Sequence, residues 1–76
     1  MDFKFTDHSQ YAMYKRGYPT DNIWKTILDP DFEDWLPSGK IVCSNKIGAD
    51  VLRVIYVKDR KKYVILRFYY LNRPNQ

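Results

Sequence analysis

Two strand-forming runs joined by a short basic turn constrain the fold of this chain most. The runs cover residues 51–57 and 63–70, and both are rich in β-branched and aromatic residues, which favour a pleated strand. Each run has one arginine near its centre, Arg53 in the first and Arg67 in the second. A guanidinium group stays protonated and is rarely buried without a partner. We therefore expect a hairpin with one face that is not ordinary core.

Strict alternation of side chains assigns this hairpin two different faces. If Arg53 and Arg67 share a face, Tyr63, Ile65 and Tyr69 of the second run also lie on it. The opposite, dry face then holds seven apolar side chains: Leu52, Val54, Tyr56, Val64, Leu66, Phe68 and Tyr70. The arginine face is left for solvent or a ligand.

The rest of the chain predicts two helices ahead of an antiparallel meander. Residues 2–6 read as a short strand or an extended arm that buries two phenyl rings, and a helix capped by Thr6 or Asp7 runs to about Arg16, before Gly17 and Pro19. A second helix follows, with Thr20 as its cap, Asp21 in its first turn and Asp29-Pro30 at its end, and residues 40–47 form the first strand of the meander. The predicted class is α+β, with the N-terminal strand and both helices on one face of a three- to four-stranded antiparallel sheet.

The segment 31–39 between the second helix and the meander is predicted to be a loop. It contains Phe32, Trp35 and Leu36 together with several acidic residues. Apolar residues this dense in a loop indicate either a lid packed over the edge of the core or an exposed patch for a partner. Both interpretations stay open from the sequence.

Length and composition predict a single domain covering residues 1–76, with a frayed tail at 72–76. Hydrophobic residues make up 45% of the chain, which argues against disorder. The lone Cys43 excludes an internal disulfide and a multi-cysteine metal site, and it is expected to be buried and inert. A reducing, cytoplasmic setting without metal or cofactor fits best. Apolar runs fall short of the roughly 20 residues of a membrane span, so no membrane association is expected.

Basic residues are concentrated in the second half of the chain. Residues 1–39 hold four Lys or Arg against seven Asp or Glu, whereas residues 40–76 hold nine against two, a net charge of +7. A basic half in a small domain is typical of polyanion binding, with RNA as the candidate partner. The alternative is a solvated sheet edge that Lys and Arg protect from aggregation.

The candidate catalytic residues are Arg53, Arg67, Tyr69 and His8. The two arginines could clamp a phosphate in a bidentate way, and Tyr69 or Tyr63 could stack on a base or donate a proton. Histidine is the side chain that ordinarily titrates near neutrality, so His8 is the candidate acid or base, although a structural role at a helix start is the alternative.

Further basic residues are candidates for contacts to a nucleic-acid backbone. Arg60, Lys61 and Lys62 in the turn would add steering that salt weakens. Arg16 at the end of the first helix also suits a structural role against the helix dipole. The complete set of predicted backbone contacts is Arg16, Lys46, Arg60, Lys61, Lys62 and Arg73.

The order of several short motifs is similar to that of a known family. The motifs are Phe5-Thr6-x-His8, Met13-x-x-Arg16-Gly17, a capped helix ending Leu28-x-Pro30, the strand Val51-Leu52-Arg53-Val54-Ile55-Tyr56 and a final aromatic strand. Together they resemble a family of small domains of unknown function that is grouped with the RelE-like and BrnT-like toxins of toxin–antitoxin systems. The resemblance covers nearly the whole chain.

This resemblance implies a RelE/barnase-like fold and a candidate metal-independent ribonuclease site on the open sheet face. The family's polar positions carry over onto His8, Arg16 and Arg53. One position departs from the pattern, because Ala12 stands where an arginine is common, and an arginine that is catalytic in relatives would be absent here. Two functions are therefore carried forward: an RNA-binding or RNA-cleaving domain, and a non-catalytic domain that binds an acidic, antitoxin-like protein.

Overall fold

A computed structural model describes residues 2–16 and 20–71 and has an α+β fold with a five-stranded mixed sheet. The sheet order is β1-β5-β4-β3-β2. The elements are β1 (Asp2–Phe5), α1 (Asp7–Arg16), α2 (Thr20–Leu28), β2 (Phe32–Trp35), β3 (Ile41–Ile47), β4 (Asp50–Asp59) and β5 (Lys62–Tyr70). The predicted class is confirmed. The predicted helix stop at Gly17 and the predicted frayed tail at 72–76 lie outside the described residues.

The sheet itself differs from the predicted three- to four-stranded antiparallel meander. β1 joins its edge in parallel with β5, with Phe3 opposite Tyr63 and Phe5 opposite Ile65. A parallel neighbour requires a crossover connection, and α1 through β4 together supply it. Long-range pairing of this kind leaves no local sequence signal. For this reason the predicted number of strands and the predicted all-antiparallel arrangement were wrong.

Helix α1 is tied to β5 at its first turn. Thr6 caps it, since its Oγ1 accepts a hydrogen bond from the Ser9 main-chain N–H at 3.2 Å. The fully buried Ser9 hydroxyl donates to the carbonyl of Ile65 at 2.7 Å. These bonds hold the start of α1 against the middle of β5.

The core lies between the helices and one face of the sheet. Ile23 and Ile27 of α2 are buried there, and the Trp24 ring stacks on Phe3 with a centroid distance of 4.2 Å. The sheet contributes seven buried hydrophobic residues: Ile41, Cys43, Leu52, Val54, Tyr56, Ile65 and Phe68. Both helices therefore cover one face, as expected, and no described helix is long and apolar enough to cross a membrane.

Part of the predicted loop 31–39 is in fact the edge strand β2. It pairs antiparallel with β3, from Phe32 opposite Ser44 to Trp35 opposite Ile41. All four residues of β2 are exposed, and 64% of the Trp35 surface is accessible. The lid interpretation is therefore wrong, because these side chains are exposed, and the binding of a partner at this patch stays a prediction.

Side-chain hydrogen bonds fix the entry to β2. The Asn45 Oδ1 accepts from the Asp31 N–H at 2.6 Å, and its Nδ2 donates to the Asp29 carbonyl at 3.2 Å. The Asp31 carboxylate accepts from the Lys46 N–H at 2.9 Å. These contacts attach the end of α2 to β3, and the chain then enters β2 along the sheet edge.

A β-bulge in β5 overturns part of the predicted face assignment. Ile55 lies opposite Arg67 but Tyr56 lies opposite Ile65, so Leu66 is an additional residue in β5. An extra residue reverses the alternation of side chains on the two sides of the bulge. The N-terminal half of β5 is therefore turned over relative to a regular strand.

Four residues change their assignment because of this reversal, and one of them, Ile65, is fully buried in the core instead of lying on the arginine face. Tyr63 lies on the helix-covered face, where its ring stacks on Phe3 at 5.2 Å, and not on the arginine face. Val64 pairs with Val57 on the open face and not in the dry core, and Leu66 is half-buried outside the core. The remaining assignments, Leu52, Val54, Tyr56 and Phe68 in the core with Tyr70 packed against it, are confirmed.

Candidate functional site

The two central arginines lie on the open face of the sheet. Arg53 of β4 is flanked by Ser44 on β3 and by Tyr69 on β5. Arg67 lies opposite Ile55, two residues further along the strands and on the same face. Diagonal neighbours on one face of an antiparallel pair are within reach of long side chains. The expectation that the two arginines share a face is therefore met, and the helices pack against the other face.

Arg53 carries a buried polar atom that has no hydrogen-bond partner in the part of the chain that the structure describes. Its side chain is half-buried, and its Nε atom is buried with no hydrogen-bond partner among the described residues. A buried donor without an acceptor costs about 1–3 kcal/mol, and most native structures avoid it. An anionic ligand oxygen at this position would satisfy that donor.

Arg67 is exposed and is held beside Tyr69. Its Cζ lies 5.7 Å from the centroid of the Tyr69 ring, within the range of a cation–π contact. The contact leaves the guanidinium donors of Arg67 at the surface. Arg53, Tyr69 and Arg67 thus form a continuous cationic and aromatic cluster on β4 and β5, which we call the arginine cluster.

A small cavity joins the arginine cluster to helix α1. Its volume is about 80 Å³, which is room for roughly two or three water molecules. Its lining comes from α1 and from β5: His8, Ser9, Ala12, Arg67, Phe68 and Tyr69. Three of the four predicted catalytic residues, His8, Arg67 and Tyr69, therefore line one cavity, although the helix that carries His8 packs on the face opposite the arginine side chains.

The predicted backbone contacts are scattered. Lys46 is exposed on β3 opposite Val51, beside the arginine cluster. Arg60, Lys61 and Lys62 lie at the β4–β5 turn, about 16 Å from Arg67 along the strand, so they cannot belong to the same contact. Arg16 ends α1, but its side chain is not described. Arg73 lies outside the described residues.

Two residues of the open face were missed by sequence reasoning. Phe32 lies opposite Ser44, and Ser44 lies opposite Arg53, so one row across the sheet reads Phe32, Ser44, Arg53 and Tyr69. The missed signal was the Pro37-Ser38-Gly39 turn, because a short Gly-containing connection between two runs is typical of a hairpin.

Cys43 is buried on the other face, as predicted. Burial, and to a lesser extent the Glu33 carboxylate, raises the pKa of its thiol to about 12, and burial likewise raises the pKa of the neighbouring Tyr56 to about 12. The thiol is therefore protonated and inert at neutral pH. Within residues 2–16 and 20–71, no three His, Cys, Asp or Glu side chains are grouped so that they could hold a metal ion.

Comparison with known proteins leaves the family of this chain open. No family model and no solved structure matches it. A curated relative, one of the subunits of the ATP-dependent helicase/deoxyribonuclease of Listeria welshimeri, is 37% identical over 54 residues. The match covers 71% of this chain but 4% of that much longer protein. It does not bear on the resemblance to the toxin-related family, which stays a prediction.

Proposed function

We propose that the open sheet face binds RNA through the arginine cluster. Arg53 and Arg67 would hold phosphate oxygens, because a guanidinium fork binds them in a bidentate way. The Tyr69 ring would stack on a base, a contact that tolerates any sequence. The observation that carries the proposal is the buried Nε of Arg53, which has no partner within residues 2–16 and 20–71 and lies on the same face as Arg67.

The charge distribution supports a polyanionic ligand. Residues 40–76 carry a net charge of +7, and the exposed Lys46 adjoins the arginine cluster. Arg60, Lys61 and Lys62 are too distant for the same phosphates, so their contribution is long-range attraction during approach. Binding should therefore weaken steeply with salt.

Metal-independent cleavage is the finer form of this proposal. In that reaction the ribose 2′-oxygen attacks the adjacent phosphorus, the 5′-oxygen leaves, a base takes the 2′-proton and an acid protonates the leaving oxygen. His8 at the cavity would take or give a proton, Arg67 would stabilise the charge on the phosphate oxygens, and Tyr69 would be the second proton donor. Ala12 also lines this cavity. An arginine at this position, which is common in the similar family, would therefore lie at the same site.

The decisive experiment compares two double variants that remove the same charge. A labelled single-stranded RNA is titrated with the parent, with Arg53→Ala/Arg67→Ala, and with Lys15→Ala/Lys25→Ala, whose lysines are exposed on the helices. We expect the arginine variant to lose at least about tenfold in affinity and to reduce the slope of log K against log salt by roughly 0.7 per lost contact. Equal losses in both variants would mean that net charge, and not this face, binds RNA.

Cleavage is followed in the same samples in the presence of EDTA. Product from the parent but not from Arg53→Ala/Arg67→Ala would support the ribonuclease form of the proposal. Binding without product would restrict the function to RNA binding. Product at the same rate from the parent and the arginine variant would contradict a site on this face.

An acidic partner protein is the second candidate for the same face. Half-buried apolar residues, among them Ile55, Val57 and Val64, adjoin the arginines, and RNA phosphates would not contact them. A protein segment with alternating acidic and apolar residues would use both features. Binding of such a peptide, lost in Arg53→Ala/Arg67→Ala while RNA fails to bind the parent, would favour this candidate.

A further inference from the structure

The free edge of the sheet at β2 exposes large aromatic side chains. In the described part of the chain, β2 has β3 on one side and no strand on the other. Trp35 and Phe32 are 64% and 53% exposed, and Leu36 follows them at 37%. Natural edge strands usually avoid such residues, because an open apolar edge attracts another strand. We call residues 32–36 the β2 edge.

The main chain of the β2 edge is oriented to accept a strand. The Leu36 N–H donates to the Lys40 carbonyl at 2.8 Å, so the polar groups of Leu36 face β3. Main-chain groups alternate along an antiparallel pair, which turns those of Phe32 and Asp34 toward β3 as well. The N–H and C=O groups of Glu33 and Trp35 therefore face outward and are available to an added strand.

Each face of the β2 edge presents one aromatic ring and one carboxylate. Phe32 and Asp34 lie on the open face, since Phe32 is opposite Ser44. Glu33 and Trp35 lie on the helix-covered face, since Glu33 is opposite the buried Cys43. Residues 29–36 carry four acidic side chains and no basic one. This edge is thus negatively charged, in contrast to the basic residues of β4 and β5.

We propose that the β2 edge binds an extended segment of another protein by strand addition, and that this segment carries two adjacent basic residues between two apolar ones. The basic pair would lie beside Glu33 and Asp34, and the apolar residues beside Phe32 and Trp35. The pattern reads the same in both directions, so it fits a parallel or an antiparallel segment. It differs from the acidic partner considered for the arginine cluster.

A second copy of this chain does not fit the β2 edge. Residues of the same main-chain orientation lie opposite each other in an antiparallel pair, so two β2 strands centred on Glu33 or on Asp34 would bring two identical carboxylates directly opposite each other, which is destabilising. The sequence also has no adjacent basic pair with an apolar residue on both sides, because Lys15-Arg16 precedes Gly17 and Lys61-Lys62 follows Arg60. The occupant is therefore a different, basic protein segment.

The test uses two peptides of equal composition. One ten-residue peptide has Val-Lys-Arg-Val at its centre, and the other has Lys-Val-Val-Arg in the same flanks. Fluorescence anisotropy of the labelled peptides with the full chain should show saturable binding of the first and at least about tenfold weaker binding of the second. Equal binding of the two, or no saturable binding of the first, would overturn the proposal.

Two variants locate the binding on the β2 edge. Trp35→Pro removes an outward N–H and the indole without removing a bond to β3, and should weaken the first peptide about tenfold or more. Glu33→Gln/Asp34→Asn keeps the shape and should remove most of the salt dependence. An unchanged affinity in both variants would refute the site. Arg53→Ala/Arg67→Ala should leave peptide binding intact, which separates this proposal from RNA binding.

Discussion

Replacement of Arg53 by methionine should make the protein more stable and less able to bind RNA. The guanidinium Nε is buried without a partner among the described residues, so the folded state bears the cost of its lost hydration. Methionine retains a long flexible chain that can cover the same neighbours, but it has no donor to satisfy. Removal of the donor therefore relieves a cost that the native fold carries.

The magnitude follows from the cost of burying this Nε atom without a partner among the described residues. A buried polar atom without a partner costs about 1–3 kcal/mol, and Arg53→Met should raise the free energy of unfolding by an amount in this range. In a domain of this size, each kcal/mol shifts the midpoint of thermal unfolding by about 4–8 °C. A rise of at least about 4 °C is therefore expected. RNA affinity should fall about tenfold, since one charge-assisted hydrogen bond is lost.

The assay is thermal and urea unfolding of three proteins, the parent, Arg53→Met and Arg67→Met. Arg67→Met is the matched control, because Arg67 is exposed and contacts the Tyr69 ring. Its replacement should not raise the free energy of unfolding and should lower it by up to about 1 kcal/mol. A lower free energy of unfolding for Arg53→Met, or the same change in stability for both variants, would contradict the argument. In that case the Nε of Arg53 would not be an unsatisfied donor in the free protein.

Three further predictions concern the turn, the buried thiol and the cavity. Arg60 has a φ of 59°, a conformation that favours glycine, so Arg60→Gly should raise the free energy of unfolding by about 1 kcal/mol in urea titrations, and an equal or lower value would contradict this. Folding raises the pKa of the Cys43 thiol from 9.0 to about 12, so between these pH values the thiol ionises in the unfolded chain but stays protonated in the folded one. The free energy of unfolding should therefore fall as pH rises from about 9 to about 12. Cys43→Ala should make this fall less steep, and an unchanged slope would contradict the prediction. Ala12→Arg should increase RNA cleavage in EDTA if the cavity at His8 and Arg67 is catalytic, whereas RNA binding alone would rise if it is not.

The helices and the central hairpin were predictable because their signals are local. The cap at Thr6, the apolar stripe of α2 and the β-branched runs around Arg53 and Arg67 each depend on residues close in sequence. The same alternation correctly placed Arg53, Arg67 and Tyr69 on one face. His8 could be selected for its chemistry, although nothing in the sequence indicated that it would meet Arg67 at a cavity.

The sequence by itself determined the α+β class, the approximate positions of the helices and central strands, and the arginine face, because local propensity and the period of two or 3.6 residues encode them. Only the tertiary structure decided the parallel pairing of β1 with β5, the edge position of β2 and the bulge at Leu66. These features arise from pairing between residues distant in the chain, and one additional residue in a strand reverses every face beyond it. For this reason Tyr63 packs against the core, while Trp35 is an exposed residue at the edge of the sheet.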